Sequence, residues 1–194
     1  MNAEQALKKL MDGNARYLSQ NMQNQNQDLS ILRETVAGQN PFAAVLTCSD
    51  SRVLPQVIFD QGIGDIFLIR VAGTVIDDSV LGSIEYAAEY LDVRLILVLG
   101  HTNCGAITAA LDGTKPAGNI AIITDAIGPA VEEAKLLEGD LLTNAIIRNT
   151  VLAAERIRTS PDIIDILVTE DKLLVVPAIY DLATGSVDII EQNL

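Results

Sequence analysis

Two short apolar runs, Phe42–Thr47 and Leu95–Leu99, each empty into a polar loop, and those two loops hold both cysteines and the single histidine of this 194-residue chain. Runs of this length, apolar without alternation, suit strands that are covered on both faces rather than helices. The first ends in Cys48-Ser49-Asp50-Ser51-Arg52; the second, closed by Gly100, ends in His101-Thr102-Asn103-Cys104, with a small-residue helix starting near Cys104. Parallel strands bring their C-terminal ends to one edge of a sheet, where open α/β folds place their sites. Both strings are therefore expected at one edge of one sheet.

Two thiolates and an imidazole are donors that zinc prefers, and three protein ligands leave a fourth tetrahedral position open, the mark of a catalytic rather than a structural site. Amide dipoles at the helix start also favour a thiolate at Cys104. The same residue types support other readings, a disulfide or redox pair or buried core residues. Beside the first ligand, Asp50 and Arg52 are spaced so that an extended segment would turn Cys48, Asp50 and Arg52 to one side. A carboxylate there either coordinates the metal itself or pairs with the planar guanidinium fork of Arg52 and stays off it.

Taken together these strings resemble the Cys-x-Asp-x-Arg and His-x-x-Cys motifs of the β-class carbonic anhydrases. The stretches Gly64–Gly73, Ser83–Ala87, Ser160-Pro161 and Ala178–Gly185 are similar to that family's strand and turn, following helix, last helix end and last hairpin, so the resemblance runs from about Gln39 onward. Thr74 and Pro177 depart from it, standing where Asn and Gly are usual. The resemblance implies one zinc per subunit on Cys48, His101 and Cys104, and reversible hydration of CO2 to bicarbonate by hydroxide generated on that zinc. Asp50 and Arg52 are implied as the catalytic pair, with Asp50 a fourth ligand in a closed state. It further implies substrate contacts from Gln39, Phe67, Ala72, Tyr86 and Gly105. Hydrolysis of carbonyl sulfide or carbon disulfide on the same site, and a non-catalytic zinc-stabilised scaffold, are the alternatives.

The fold expected is α/β: a central, mostly parallel sheet of four or five strands flanked by helices, with strands at 43–47, 66–70, 95–99 and 173–180 and an edge strand at 186–190. A net charge of −13 leaves no basic patch for nucleic acid, and no apolar run approaches the roughly 18 residues of a membrane span. With no export signal read at the N-terminus, a reducing cytoplasm is expected. The segment 121–158 reads as helical with a break at Glu138-Gly139-Asp140. Residues 3–18 form an amphipathic helix, followed by a polar linker at 20–27 expected to be flexible. This divides the chain into an arm at 1–28 and a zinc-binding catalytic domain at 29–194. By the resemblance, the arm packs on a dimer mate, in a homodimer or an assembly of dimers.

Overall fold

A computed structural model of the chain describes residues 1–114 and 116–190, so the last four positions of the range 29–194 lie outside the described residues. The strands are β1 (Ala43–Thr47), β2 (Ile66–Arg70), β3 (Leu95–His101), β4 (Leu174–Tyr180) and β5 (Val187–Ile189). The longer helices are α1 (Ala3–Leu18), α4 (Asp78–Tyr90), α6 (Ile120–Ala134) and α7 (Leu141–Arg158). Shorter ones are α2 (Leu29–Glu34), α3 (Pro55–Ile58), α5 (Gly105–Leu111) and α8 (Ile164–Thr169).

Among the described residues the strands form one sheet in the order β2-β1-β3-β4-β5, parallel from β2 to β4 and closed by the antiparallel β5. The central strands are apolar without alternation because both faces are covered. Ala44, Leu46, Ile96 and Val98 face one core together with Ile84 of α4 and Ala154 and Ile157 of α7. Ala43, Val45, Leu95, Leu97 and Leu99 face the other, with Phe59 beyond α3 and Ala6 and Leu10 of α1. A third core, of Ile107, Ile127, Val131, Ala145 and Ile146, surrounds Cys48 and Cys104 where the strands end.

The expected break at 138–140 separates α6 from α7, with Gly139 at φ 104 and Asp140 capping α7 through Thr143 N–H. Gly100 does not end its strand, because Gly100 and His101 continue the parallel pairing with Ile179 and Tyr180. A Cβ on Gly100 would stand 2.2 Å from Thr150 Oγ1, so the glycine is what lets α7 lie against the ligand-bearing strand.

The N-terminal segment departs from the sequence expectation. The apolar face of α1 finds its cover within its own chain: Ala6 and Leu10 are 0% exposed against the sheet. Asn14 is buried and ties α1 to the body through Ile58 O (3.1 Å), Gly185 O (3.0 Å) and Val187 N (3.0 Å). Ala6 and Leu10 thus have cover without a neighbouring subunit; periodicity reveals an apolar face but not which surface meets it. The linker is not free either. Asp60, at φ 48, accepts hydrogen bonds from Gln23 N, Asn24 N and Arg16 Nε, and Gly62 lies so close to Gln25 and Asn26 that a Cβ would be 2.3 Å from their carbonyl oxygens.

Candidate metal centre

The candidate metal centre is assembled by strand register. Thr47, the last residue of β1, pairs with Leu99, and its hydroxyl donates to Leu99 O at 2.7 Å, which draws the two strand ends together. Cys48 follows immediately, His101 closes β3 two residues beyond that pair, and Cys104 caps the start of α5. The three ligand atoms lie within 4.8 Å of one another, and the residues are 5%, 1% and 4% exposed.

These residues fit a tetrahedral cation. The sulfurs are 4.0 Å apart, against about 3.8 Å for two thiolates on one zinc with bonds near 2.3 Å. A disulfide needs about 2.05 Å, and both cysteines are free. His101 Nδ1 lies 2.9 Å from Thr102 O, which can only accept, so the ring proton sits on Nδ1 and the Nε2 lone pair is left for a metal. Among the described residues, Nε2 is the buried side-chain nitrogen or oxygen without a hydrogen-bond partner. An orphaned buried acceptor aimed at two thiols is costly unless a cation completes it.

The two thiols lie in contact and perturb one another in opposite directions. The contact with Cys104, reinforced by His101 and by the Gly73 and Asp50 N–H groups, outweighs burial and holds the Cys48 thiol down to about 4. Cys104 is pushed well above the ordinary thiol range, first by Cys48 beside it and then by burial. A bound dication would supply the positive charge that favours both thiolates.

Asp50 and Arg52 form a turn, not the extended segment expected. Arg52 N donates to Asp50 Oδ1 at 2.9 Å and Val53 N to Asp50 O at 3.0 Å. The turn folds the guanidinium back onto its own carboxylate, with Nε to Oδ1 at 2.9 Å and a terminal nitrogen to Oδ2 at 2.7 Å. That nitrogen also reaches Asn103 O at 3.5 Å, joining the two ligand loops. Arg52, more than burial can oppose, holds the Asp50 carboxyl well below the usual carboxylate range, and Asp50 Oδ2 stands 4.0 Å from His101 Nε2.

Three contributors escaped the sequence reading. Arg70, at the end of β2, donates to Cys48 O at 3.1 Å and to Asp50 O at 2.7 Å, fixing the ligand loop. Gly73 N donates to Cys48 Sγ at 3.3 Å, and Asn149 of α7 holds the Gly73 carbonyl at 2.8 Å. Only the pairing of Thr47 with Arg70 would have drawn attention to the arginine; nothing local marks Asn149.

The model of the carbonic anhydrase family matches residues 43–187, a span that contains Cys48, His101, Cys104 and the Asp50–Arg52 pair. The chain belongs to the β-carbonic anhydrase family. It is 46% identical to carbonic anhydrase 2 of Mycobacterium tuberculosis over 134 residues, 67% of this chain and 65% of that protein. It thus spans just under two thirds of the length of that relative. The carbonic anhydrase of Synechococcus elongatus is 28% identical over 81% of this chain and 62% of its own. The solved structure of the β-carbonic anhydrase CcaA superposes with a TM-score of 0.75 at 25% identity, covering 95% of each chain. The Coccomyxa β-carbonic anhydrase in complex with acetazolamide gives 0.74 at 27% identity, over 84% of this chain and 78% of its own.

Within this β-carbonic anhydrase fold, the residues expected at the substrate separate into two groups. Ala72 is next to Gly73 and hence to Cys48, and Gly105 directly follows Cys104, where a Cβ would meet nothing within 4 Å. Gln39, Phe67 and Tyr86 are not gathered with them. Phe67 is level with Ala44 on the outer strand β2, and Cys48 lies four residue steps beyond Ala44 along the chain, about 13 Å. Its ring lies 6.1 Å from that of Tyr86, which is stacked 5.4 Å from Tyr90, while Gln39 is exposed ahead of β1.

Proposed function

We propose that this chain catalyses the reversible hydration of CO2 to bicarbonate and a proton, with one zinc held by Cys48, His101 and Cys104. The observation that carries the proposal is the buried three-donor set beside a carboxylate that its own arginine keeps 4.0 Å from the imidazole nitrogen. Zinc in such a set supplies an acidified water as nucleophile, and because two thiolates cancel its charge, activity should favour alkaline pH. The chain's own residues do the rest. Asp50, ionised throughout the neutral range, accepts a hydrogen bond and so orients the nucleophile rather than protonating it. Arg52 keeps both carboxylate oxygens engaged, which prevents Asp50 from closing the site. Val75, Ile107 and Ile127 form the apolar surroundings of the thiols, and the small residues Ala72 and Gly105 suit a small neutral substrate with no phosphate or sugar to anchor.

Self-association is part of this reading. The outer edge of β2 is unpaired among the described residues, and Tyr86 and Tyr90 are exposed along it. An interface there would give Gln39, Phe67 and Tyr86, remote from the ligands of their own chain, a metal centre to meet across it. No helix among the described residues is long and apolar enough to cross a membrane, and a reducing cytoplasm would keep both ligand thiols free.

Stopped-flow CO2 hydration on zinc-loaded protein, with carbonyl sulfide measured in parallel, tests the proposal. Hydration that disappears together with zinc in Cys104→Ser is expected. Fully zinc-loaded protein without hydration would identify a scaffold, and faster turnover of carbonyl sulfide would favour the hydrolase.

A further inference from the structure

The turn that donates to Cys48 is held in a conformation that its own sequence disfavours. Gly73 sits at φ 70, and the next residue, Thr74, is at φ 56, a left-handed conformation that a β-branched residue avoids. Rotating the peptide between them would return Thr74 to its ordinary region. It would also break two bonds made by that peptide: Thr74 N–H to Val71 O at 3.0 Å, and the Gly73 carbonyl to Asn149 Nδ2 at 2.8 Å. The first closes the turn upon itself; the second ties it to α7, 76 residues away in sequence.

Packing leaves no room for a looser fit. A Cβ on Gly73 would stand 2.8 Å from Ile127 Cδ1 and 3.1 Å from Ala106 Cβ. Asn149 is itself buried, and with Thr74, His101 and Cys104 it lines a void of about 10 Å³ behind the ligands. This side chain therefore stands between helix packing and the ligand, reaching no metal donor itself.

We propose that Asn149 is a positioning residue of the metal centre: by holding the Gly73 carbonyl it locks the Gly73–Thr74 turn so that Gly73 N–H stays aimed at Cys48 Sγ, and α7 thereby sets the donor strength of one ligand. An N–H···S hydrogen bond draws electron density from a thiolate, and partners of this kind tune a metal through its ligand. Without Asn149 the strained peptide rotates, the turn opens, and Cys48 becomes a stronger donor in a less rigid site.

The inference rests on the metal-binding reading of the three ligands, and cobalt substitution separates the two. Wild-type protein should take up one cobalt per chain and show thiolate-to-cobalt charge-transfer absorption. In Asn149→Ala and Asn149→Leu, the second close in size but unable to donate, that band should move to longer wavelength, and zinc should be lost to a chelator about tenfold faster. Adding Thr74→Gly, which removes the strain, should return the band most of the way to its wild-type position, a rescue that a merely structural role for Asn149 would not produce. Stoichiometric cobalt binding by Asn149→Ala with an unmoved band would overturn the role of Asn149. Wild-type protein that takes up no cobalt would overturn the metal reading, and the inference with it.

Discussion

Removing the Arg52 guanidinium should close the metal centre without emptying it. Asp50 Oδ2 stands 4.0 Å from His101 Nε2, whereas two donors on one tetrahedral zinc, at bonds of about 2.0–2.1 Å, stand about 3.3 Å apart. The carboxylate thus needs to advance only about 0.7 Å, a displacement within reach of a small side-chain rotation. Two hydrogen bonds from Arg52, at 2.9 and 2.7 Å, hold the oxygens back, and in Arg52→Ala only the backbone N–H on Oδ1 remains. A carboxylate that takes the open position excludes the nucleophile, so kcat/KM for CO2 should fall by about tenfold to a hundredfold while zinc content stays full. Arg52→Lys should recover little, because an ammonium lacks the two-pronged fork. The decisive comparison is the double variant: once Arg52 is gone, Asp50→Ala removes the blocking group, so the pair should lose no more than Arg52→Ala alone. Stopped-flow hydration with metal analysis of the same samples reads all three. Wild-type turnover by Arg52→Ala across neutral and alkaline pH would refute the gate, and a loss of zinc would show that Arg52 supports the ligands instead.

Further expectations concern the frame around the site. Leu10→Ala, at a fully buried position on α1, should cost about 2–5 kcal/mol in urea denaturation, independent of protein concentration; a loss that fades on dilution would mean that a partner subunit covers this helix. Gly100→Ala should cost at least about 1–3 kcal/mol and weaken metal binding, since its Cβ would collide with Thr150 beside the His101 strand; a stable, fully loaded variant would show that α7 can withdraw. At Asp60 burial alone would raise the carboxyl, but the Gln23 N–H, Arg16 and Asn24 N–H outweigh it and the group is lowered. Its contribution to stability is therefore present above the unfolded carboxyl pKa of about 3.9 and is lost as pH falls below that toward the lower folded value. Asp60→Asn should be less stable than wild type at pH 6, with the gap narrowing as pH falls below about 3.9, and parallel stability curves would contradict this.

The sequence by itself determined the parts whose physics is local. The unbroken apolar runs at 43–47 and 95–99 read as strands buried on both faces, and the strings of Cys48 and His101 at their C-terminal ends made one shared site the economical arrangement. The break at 138–140 was equally legible, because glycine and a helix-capping aspartate act over a few residues. Tertiary structure decided everything that depends on which surface meets which. A hydrophobic period shows that α1 has a face to bury, yet the cover came from the sheet of its own chain, through Asn14 and residues more than forty positions away. The polar stretch 20–27 looked unattached because its anchor, Asp60, lies far along the chain. Arg70 reaches the Cys48 loop and Asn149 the Gly73 turn only because β2 lies beside β1 and α7 lies across Gly100. Strand propensity, caps and ligand types are written in neighbouring residues; the hydrogen bonds that aim a ligand join residues brought together only by packing, and no pattern along the chain records them.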